Sequence, residues 1–388
     1  MKLLPKILIA IAAGIGAGYI CPLWLTRIFV TFNGIFSAFL GFIIPLLIVA
    51  FVAPAIADIG RRAGLMLIVT ALIAYIFTFG SGLLAYFTGE VLFPSLIPAE
   101  QYIADTAGAS GPEAYFTIAI PPLMSVMTAL VLAIVLGLGT AQLNSTAMRG
   151  WLDDLREIIN MTIGKAIIPL LPLYIFGIFL SMTVAGTVGT ILGTFARIIV
   201  VIFVLHVVLL VLQYLIASTF SRKNPFKSLW TMMPAYFTAL GTQSSAATIP
   251  VTLRQTIALG VDRNIAGFTV PLCATIHMSG STLKITACAL ALTIILGHPH
   301  DATVFMPFIA MLGITIIAAP GVPGGAIMAS LGLLGSMLGF SDADNALMIA
   351  LYIAMDSFGT ACNVTGDGAI AQIVNRIFRT SPAKATAS

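Results

Sequence analysis

Ala319-Pro320-Gly321-Val322-Pro323-Gly324-Gly325 interrupts an otherwise apolar stretch that runs from Asp301 to Phe340. Two prolines and three glycines within seven residues forbid a continuous helix. The stretch reads as two short apolar helices meeting at a non-helical tip, with acidic residues outside both ends, Asp301 on one side and Asp342 and Asp344 on the other. A similar object lies upstream. Between the basic clusters Arg222–Lys227 and Arg254–Arg263 there are fewer than 30 residues, and positive charge at both ends places both on one side of a membrane. Two full spans would need about 40 residues. A re-entrant pair of half-length helices fits, with Gly241-Thr242-Gln243-Ser244-Ser245 as its tip and Pro250 beyond.

The rest of the chain supports a membrane setting. Of 388 residues, 59% are hydrophobic and 8% charged, against about 25% charged in a soluble domain. So little charge cannot cover a water-facing surface, which excludes a soluble enzyme, a nucleic-acid binder and a disordered scaffold. Helices are expected at about 5–22, 28–58, 63–92, 114–139, 162–184 and 188–219. Runs of about 20 apolar residues cross a bilayer core. They are continuous rather than alternating, which disfavours a β-barrel. The first run, behind Lys2 and Lys6, has the look of a signal peptide, but further membrane segments follow at once. Cys21, Cys273, Cys288 and Cys362 show no CxxC spacing and read as small buried hydrophobes.

With the N-terminus in the cytoplasm, 14 of the 18 basic residues fall inside, leaving Arg27, Lys165, Arg197 and Lys284. Glu100, Asp105, Glu113 and Asp301 then lie in outer loops, with Asp342 and Asp344. This predicts a multi-pass protein of the cytoplasmic (inner) membrane with both termini cytoplasmic.

Each hairpin is followed by an interrupted helix. The first, about 263–296, contains His277-Met278-Ser279-Gly280-Ser281; the second, about 343–379, contains the polar run from Asp356 to Asp367. Hairpin plus broken helix, twice and from opposite faces, is an inverted repeat. Non-helical backbone at membrane depth survives only where it is buried or lines a cavity. Broken helices around a midplane site are the architecture of secondary transporters. The expected fold is therefore all-α: eight transmembrane helices plus two re-entrant hairpins, at 225–254 and 301–340.

At these motifs the chain resembles the dicarboxylate/amino acid:cation symporter family. The resemblance rests on Thr242-Gln243-Ser244-Ser245, Thr248-Ile249-Pro250-Val251-Thr252-Leu253-Arg254, the Phe268–Ile276 segment, Gly321-Val322-Pro323-Gly324, and Asn363-Val364-Thr365-Gly366-Asp367 with Asp356 seven residues before Asn363. It is strongest over about 225–380. It implies a homotrimer of scaffold and elevator-type transport domains, without nucleic-acid partners. Scaffold helices would occupy 1–62 and 113–186, and the transport domain 63–112 and 187–380, ahead of a cytoplasmic tail at 381–388.

Positions 356, 360, 363 and 367 follow a 4-3-4 spacing and form one stripe on an ideal helix. The resemblance gives Asp356 to a substrate ammonium, Thr360 to a polar substrate contact, and Ser244 and Ser245 to the substrate carboxylate. It adds Gly359, Asn363, Ser281 and the backbone of Val322 and Gly324 to the substrate set. It assigns Na+ to Asp367, Asn363, Thr275, Met278, His277 and Ser279. A hard cation needs oxygen ligands, which the side chains of Asn363 and Asp367 supply.

Departures from the family pattern point to the cargo. Gly359 stands where acidic-substrate members carry an arginine, and Gln243 where some archaeal members do. Burying a carboxylate without a cation is costly, so a small neutral amino acid of the serine, threonine, alanine or cysteine kind is expected, with acidic amino acids or C4-dicarboxylates as the alternative. His277-Met278-Ser279-Gly280-Ser281 replaces Asn-Met-Asp-Gly-Thr. Loss of that aspartate implies fewer sodium ions, with a proton on His277 as a substitute, or else a merely structural histidine. Lys284, one turn beyond, reads as a tethered cation or as the partner of Asp356 or Asp367; His206 reads as structural. The tip at 321–325 is one residue shorter than is usual in the family.

An intramembrane aspartyl protease is disfavoured, because eleven residues place Asp356 and Asp367 about 16 Å apart on one helix, too far to share a proton. HExxH, GxSxG and phosphate-loop motifs are absent. A passive channel remains the rival without coupling.

Overall fold

The computed structural model describes residues 3–61, 65–97, 112–143, 145–186, 188–317, 319 and 324–378, and every regular element among them is helical. Among the described residues, five stretches are long and apolar enough to cross a membrane: Leu23–Pro54, Leu65–Leu96, Thr146–Val184, Ile191–Ser221 and Arg263–Ile295. A sixth is the bent pair Asp342–Ala354 and Asp356–Phe378, whose halves meet at 62°.

Helix α1 (Leu3–Gly18) packs on α6 (Ile168–Val184), where Gly14 and Gly18 lie against the α6 backbone and Thr183. Helix α2 (Leu23–Arg61) carries Pro45 and Pro54 within its length and packs along α4 (Val126–Leu143). The helix expected over 114–139 begins only at Val126. Pro121 and Pro122 remove backbone donors and restrict the residues before them. The preceding segment instead lies along α2: the Tyr115 amide donates to Thr31 Oγ1 at 2.9 Å, and Arg27 Nε donates to the Glu113 carbonyl at 3.0 Å.

The expected 162–184 helix is longer at its N-terminal end. An amphipathic helix, α5 (Thr146–Thr162), capped by Ser145, runs through a π-turn at Ile163–Ile167 into α6. Pro169 and Pro172 lack the amide hydrogens that would keep the ladder regular, and the wider turn takes up the mismatch.

The second half builds the site. Helix α7 (Val188–Ser221) leads to α8 (Pro225–Thr242), which starts at the Asn224 cap and Pro225. Gln243 then turns with φ 56°, and Ser244 caps α9 (Ser245–Ala258) by accepting from the Ala247 amide at 3.2 Å. The expected tip at 241–245 is thus tighter than predicted, with only Gln243 and Ser244 outside the two helices. Helix α10 (Arg263–Ile276) and α11 (Ser279–Ile295) are separated by His277 and Met278, as expected. Helices α12 (Ala302–Ile316) and α13 (Gly325–Leu338) flank the opening motif, of which residues 320–323 lie outside the described residues. Helix α14 (Asp342–Ala354) breaks at Met355, and α15 (Asp356–Phe378) follows unbroken. The second interruption therefore precedes Asp356, and the run 356–367 is regular helix. All seventeen residues of α11 are buried, and α15 packs against α7, α8, α9, α10 and α11.

Candidate functional site

The break in α14–α15 puts Asp356 in the first turn of α15, where unpaired amides and the helix dipole favour a carboxylate. One of its oxygens, Oδ1, accepts from Lys284 Nζ at 3.0 Å; the other, Oδ2, accepts from the Gly324 amide at 2.9 Å. Lys284 is completely buried, and its ammonium also lies 3.4 Å from the centre of the Tyr352 ring and 3.5 Å from the Met355 carbonyl. Gly359 makes room for it: a Cβ at 359 would stand 2.8 Å from Lys284 Nζ. The place left without an arginine on α15 is filled by a lysine from α11.

The same face of α15 holds Thr360, Asn363 and Asp367, so the predicted stripe forms. Asn363 Oδ1 accepts from the Gly280 amide at 2.7 Å, and its Nδ2 donates to Ser281 Oγ at 3.3 Å and, weakly, to Met278 Sδ at 3.5 Å. Ser281 shares a hydrogen bond of 3.0 Å with the Tyr352 hydroxyl. Thr360 donates to the Asp356 carbonyl at 2.9 Å, and Thr275 to the Leu272 carbonyl at 2.7 Å.

These groups surround a cavity of about 120 Å³, well above the roughly 10–15 Å³ that one water needs by such a measure. Asp356, Thr360, Asn363, Ser281, Thr275 and Met278 line it together with Tyr352, Ser244 and Ser245. Lys284 does not line it and reaches Asp356 from behind. A larger cavity, about 340 Å³, lies between α2 and α13–α14; its walls are mainly apolar and hold none of the predicted site residues.

A second polar cluster sits away from the cavity. His277 Nδ1 donates to Asp367 Oδ1 at 2.9 Å and lies 3.2 Å from the Asn363 carbonyl. The Gln213 amide donates to Ser279 Oγ at 3.0 Å and faces His277 Nε2 at 3.4 Å. The network fits a neutral imidazole with its hydrogen on Nδ1 and Nε2 accepting. Among the described residues Asp367 Oδ2 and Gln213 Oε1 are buried and find no partner, two oxygens available to a cation. The Met278 amide at the break donates to Thr78 Oγ1 at 3.2 Å.

Of the residues singled out in the sequence, then, Asp356, Thr360, Asn363, Ser244, Ser245, Ser281, Thr275 and Met278 surround one cavity, and Gly324 reaches it through Asp356. His277, Ser279 and Asp367 form the neighbouring cluster, and Val322 lies outside the described residues. His206 is structural here, with Nε2 on the Gly280 carbonyl at 3.1 Å. Gln213, Tyr352 and Thr78 had not been anticipated. Gln213 alone left a sequence signal, as a lone amide in the apolar run Val207–Ala217.

Two half-helix breaks beside a cavity lined by polar side chains, inside a bundle of apolar helices, define a membrane transport protein. The model of the sodium:dicarboxylate symporter family matches residues 3–377, and the chain belongs to that family. It is similar to the serine/threonine transporter SstT of Acinetobacter baumannii (strain AYE), 28% identical over 389 residues, covering 95% of this chain and 94% of that protein. It is also similar to excitatory amino acid transporter 1 of Rattus norvegicus, 31% identical over 252 residues, covering 62% of this chain and 45% of that protein. Excitatory amino acid transporter 4 of Mus musculus is 30% identical over 240 residues, covering 59% of this chain and 41% of that protein. Sodium-coupled symport, not enzyme chemistry, is the activity of this family.

Proposed function

We propose that this protein is a sodium-coupled symporter of a small neutral amino acid. The observation that carries the reading is the cavity itself: Asp356 and the Ser244–Ser245 tip both line it, with no cationic side chain among its described lining residues. An α-ammonium suits Asp356, and an α-carboxylate suits the amides at the N-terminus of α9, where the dipole adds attraction. A side-chain carboxylate would meet no cation at the surface of the cavity, so acidic cargo is disfavoured. Hydroxyls on Thr360, Ser281 and Thr275 suit a serine or threonine side chain. The serine/threonine relative supports this choice. Sodium, as co-transported substrate, takes the oxygens around Asp367 and the Asn363 carbonyl. With Ser279 offering only a hydroxyl already held by Gln213, fewer ions bind than a carboxylate there would allow.

Around this site we place eight spans and two re-entrant hairpins, α8–α9 and α12–α13. The scaffold comprises residues 1–62 and 113–186; the elevator-type transport domain comprises 63–112 and 187–380. The protein works as a homotrimer in the inner membrane with both termini cytoplasmic. Uptake into proteoliposomes across a panel of amino acids, with and without a sodium gradient, tests the function. Serine or alanine accumulates only with inward sodium; robust aspartate uptake that neither competes for would refute it.

A further inference from the structure

Lys284 is a charged side chain that the proposed binding of cargo does not use. It is fully buried and does not itself line the cavity, although Asp356 and Tyr352, which it touches, both do; among the described residues Asp356 is the anion it pairs with. A buried ammonium with one partner is costly to keep unless the partner stays charged. The rest of its surroundings provide a second resting place, since the Tyr352 ring face and the Met355 carbonyl lie within 3.5 Å. Aromatic faces and carbonyls both hold cations.

We infer that Lys284 is the internal counter-ion of the transport cycle: its ammonium holds Asp356 when the cavity is empty and yields the carboxylate to the ammonium of the cargo. The inference rests on the reading that the cargo is an amino acid. One carboxylate cannot balance two ammonium groups, so cargo and lysine compete, and the displaced lysine falls back on Tyr352 and Met355. The empty carrier thereby keeps Asp356 neutralised without a second ion from solution. The same pairing leaves Asp356 Oδ2 to the Gly324 amide at the start of α13, so the carboxylate that Lys284 holds is also tied to the second hairpin. Gly359 is the other half of the device, because any side chain there would occupy the volume of the lysine head.

The experiment uses the full-length protein in proteoliposomes, with the best neutral amino acid from the uptake panel as radiolabelled probe. Equilibrium binding, exchange and net uptake are measured at saturating sodium for wild type, Lys284→Met and Gly359→Ala. If the lysine-free carboxylate is populated about one part in ten, removing the lysine tightens binding about tenfold. Exchange, which never requires the empty carrier to reorient across the membrane, persists in Lys284→Met, while net uptake is lost. Added methylammonium restores net uptake in that variant and leaves wild type unchanged, a rescue that a merely structural lysine does not show. Gly359→Ala keeps the charge and crowds the ammonium, so it lowers the ratio of net uptake to exchange even if Lys284→Met fails to fold. Binding no tighter and an unchanged ratio in whichever of the two variants folds would overturn the counter-ion role alone. Wild-type uptake of an amine-free dicarboxylate in place of amino acids would overturn both this and the amino acid reading.

Discussion

Helices α11 and α15 cross at Gly280 closely enough that one methyl group tests the site. A Cβ at 280 would lie 2.5 Å from the Gly359 carbonyl oxygen and 2.7 Å from Cβ of Cys362. Both neighbours belong to the rigid part of α15, so neither can rotate away. Ordinary contact begins near 3.4 Å, and Gly280→Ala forces the helices about 0.9 Å apart. The same displacement stretches the 2.7 Å bond from the Gly280 amide to Asn363 Oδ1 to about 3.6 Å, beyond hydrogen-bonding range. Overpacking costs about 1–3 kcal/mol and a lost buried hydrogen bond about 1 kcal/mol more. The better helix propensity of alanine returns about 1 kcal/mol. The net loss of about 1–3 kcal/mol lowers the unfolding temperature of the detergent-solubilised protein by several degrees. Amino acid binding weakens more steeply, since a shift of about 1 Å at a positioned group costs on the order of a hundredfold. Thermal unfolding and equilibrium binding on the same preparation measure both. Cys362→Gly in the Gly280→Ala background removes one of the two clashes and recovers part of the loss, whereas Cys362→Ala keeps the offending Cβ and recovers none. Wild-type melting and affinity in Gly280→Ala would refute the crossing geometry.

Three further outcomes follow from the site. Lys284→Met leaves Asp356 buried without its cation and destabilises by about 3–5 kcal/mol, most of which Asp356→Asn restores in the double variant; thermal unfolding of the singles and the double measures the coupling. Gly359→Arg sets a second cation against Lys284 and abolishes uptake, whereas Gly359→Arg with Lys284→Met carries the cation on α15 and takes up aspartate, measured in the same vesicles. Gln213→Leu strands His277 Nε2 and Ser279 Oγ, at about 1–3 kcal/mol for unsatisfied buried groups; the sodium concentration for half-maximal uptake rises, while amino acid affinity at saturating sodium is kept.

The large divisions of this chain were legible because they depend on backbone chemistry. Prolines and glycines announced that α12 and α13 are separate helices, and the polar insertion His277–Ser281 announced the break between α10 and α11. The 4-3-4 stripe from Asp356 to Asp367 needed only a regular helix, which α15 supplies. Several local readings missed, among them the interruption expected within 356–367, which lies at Met355 instead. The 114–125 segment has helix-like hydrophobicity, but Pro121 and Pro122 decide its course along α2. Amphipathic α5 carries its charges on one face and so falls below a hydropathy threshold. Partners across helices were the least legible part of the site. Nothing local marks Tyr352 as the ring beneath a lysine seventy residues away, or pairs Gly359 with Lys284, because those relations exist only once α11 and α15 pack. Read along the chain, Gly359 was a missing charge; in three dimensions it is the vacant volume that admits one.

Helix α11 has no side facing lipid, and each of its residues abuts another helix. A core filled to that degree changes by exchange rather than by addition. Selectivity in such a carrier would drift through reciprocal swaps across one seam, a bulky residue gained on α11 against a small one on α15, or the reverse. Lys284 and Gly359 are a pair of that kind, a long side chain on α11 seated against a glycine on α15, and a search for altered cargo preference is best made in pairs of positions, not singly.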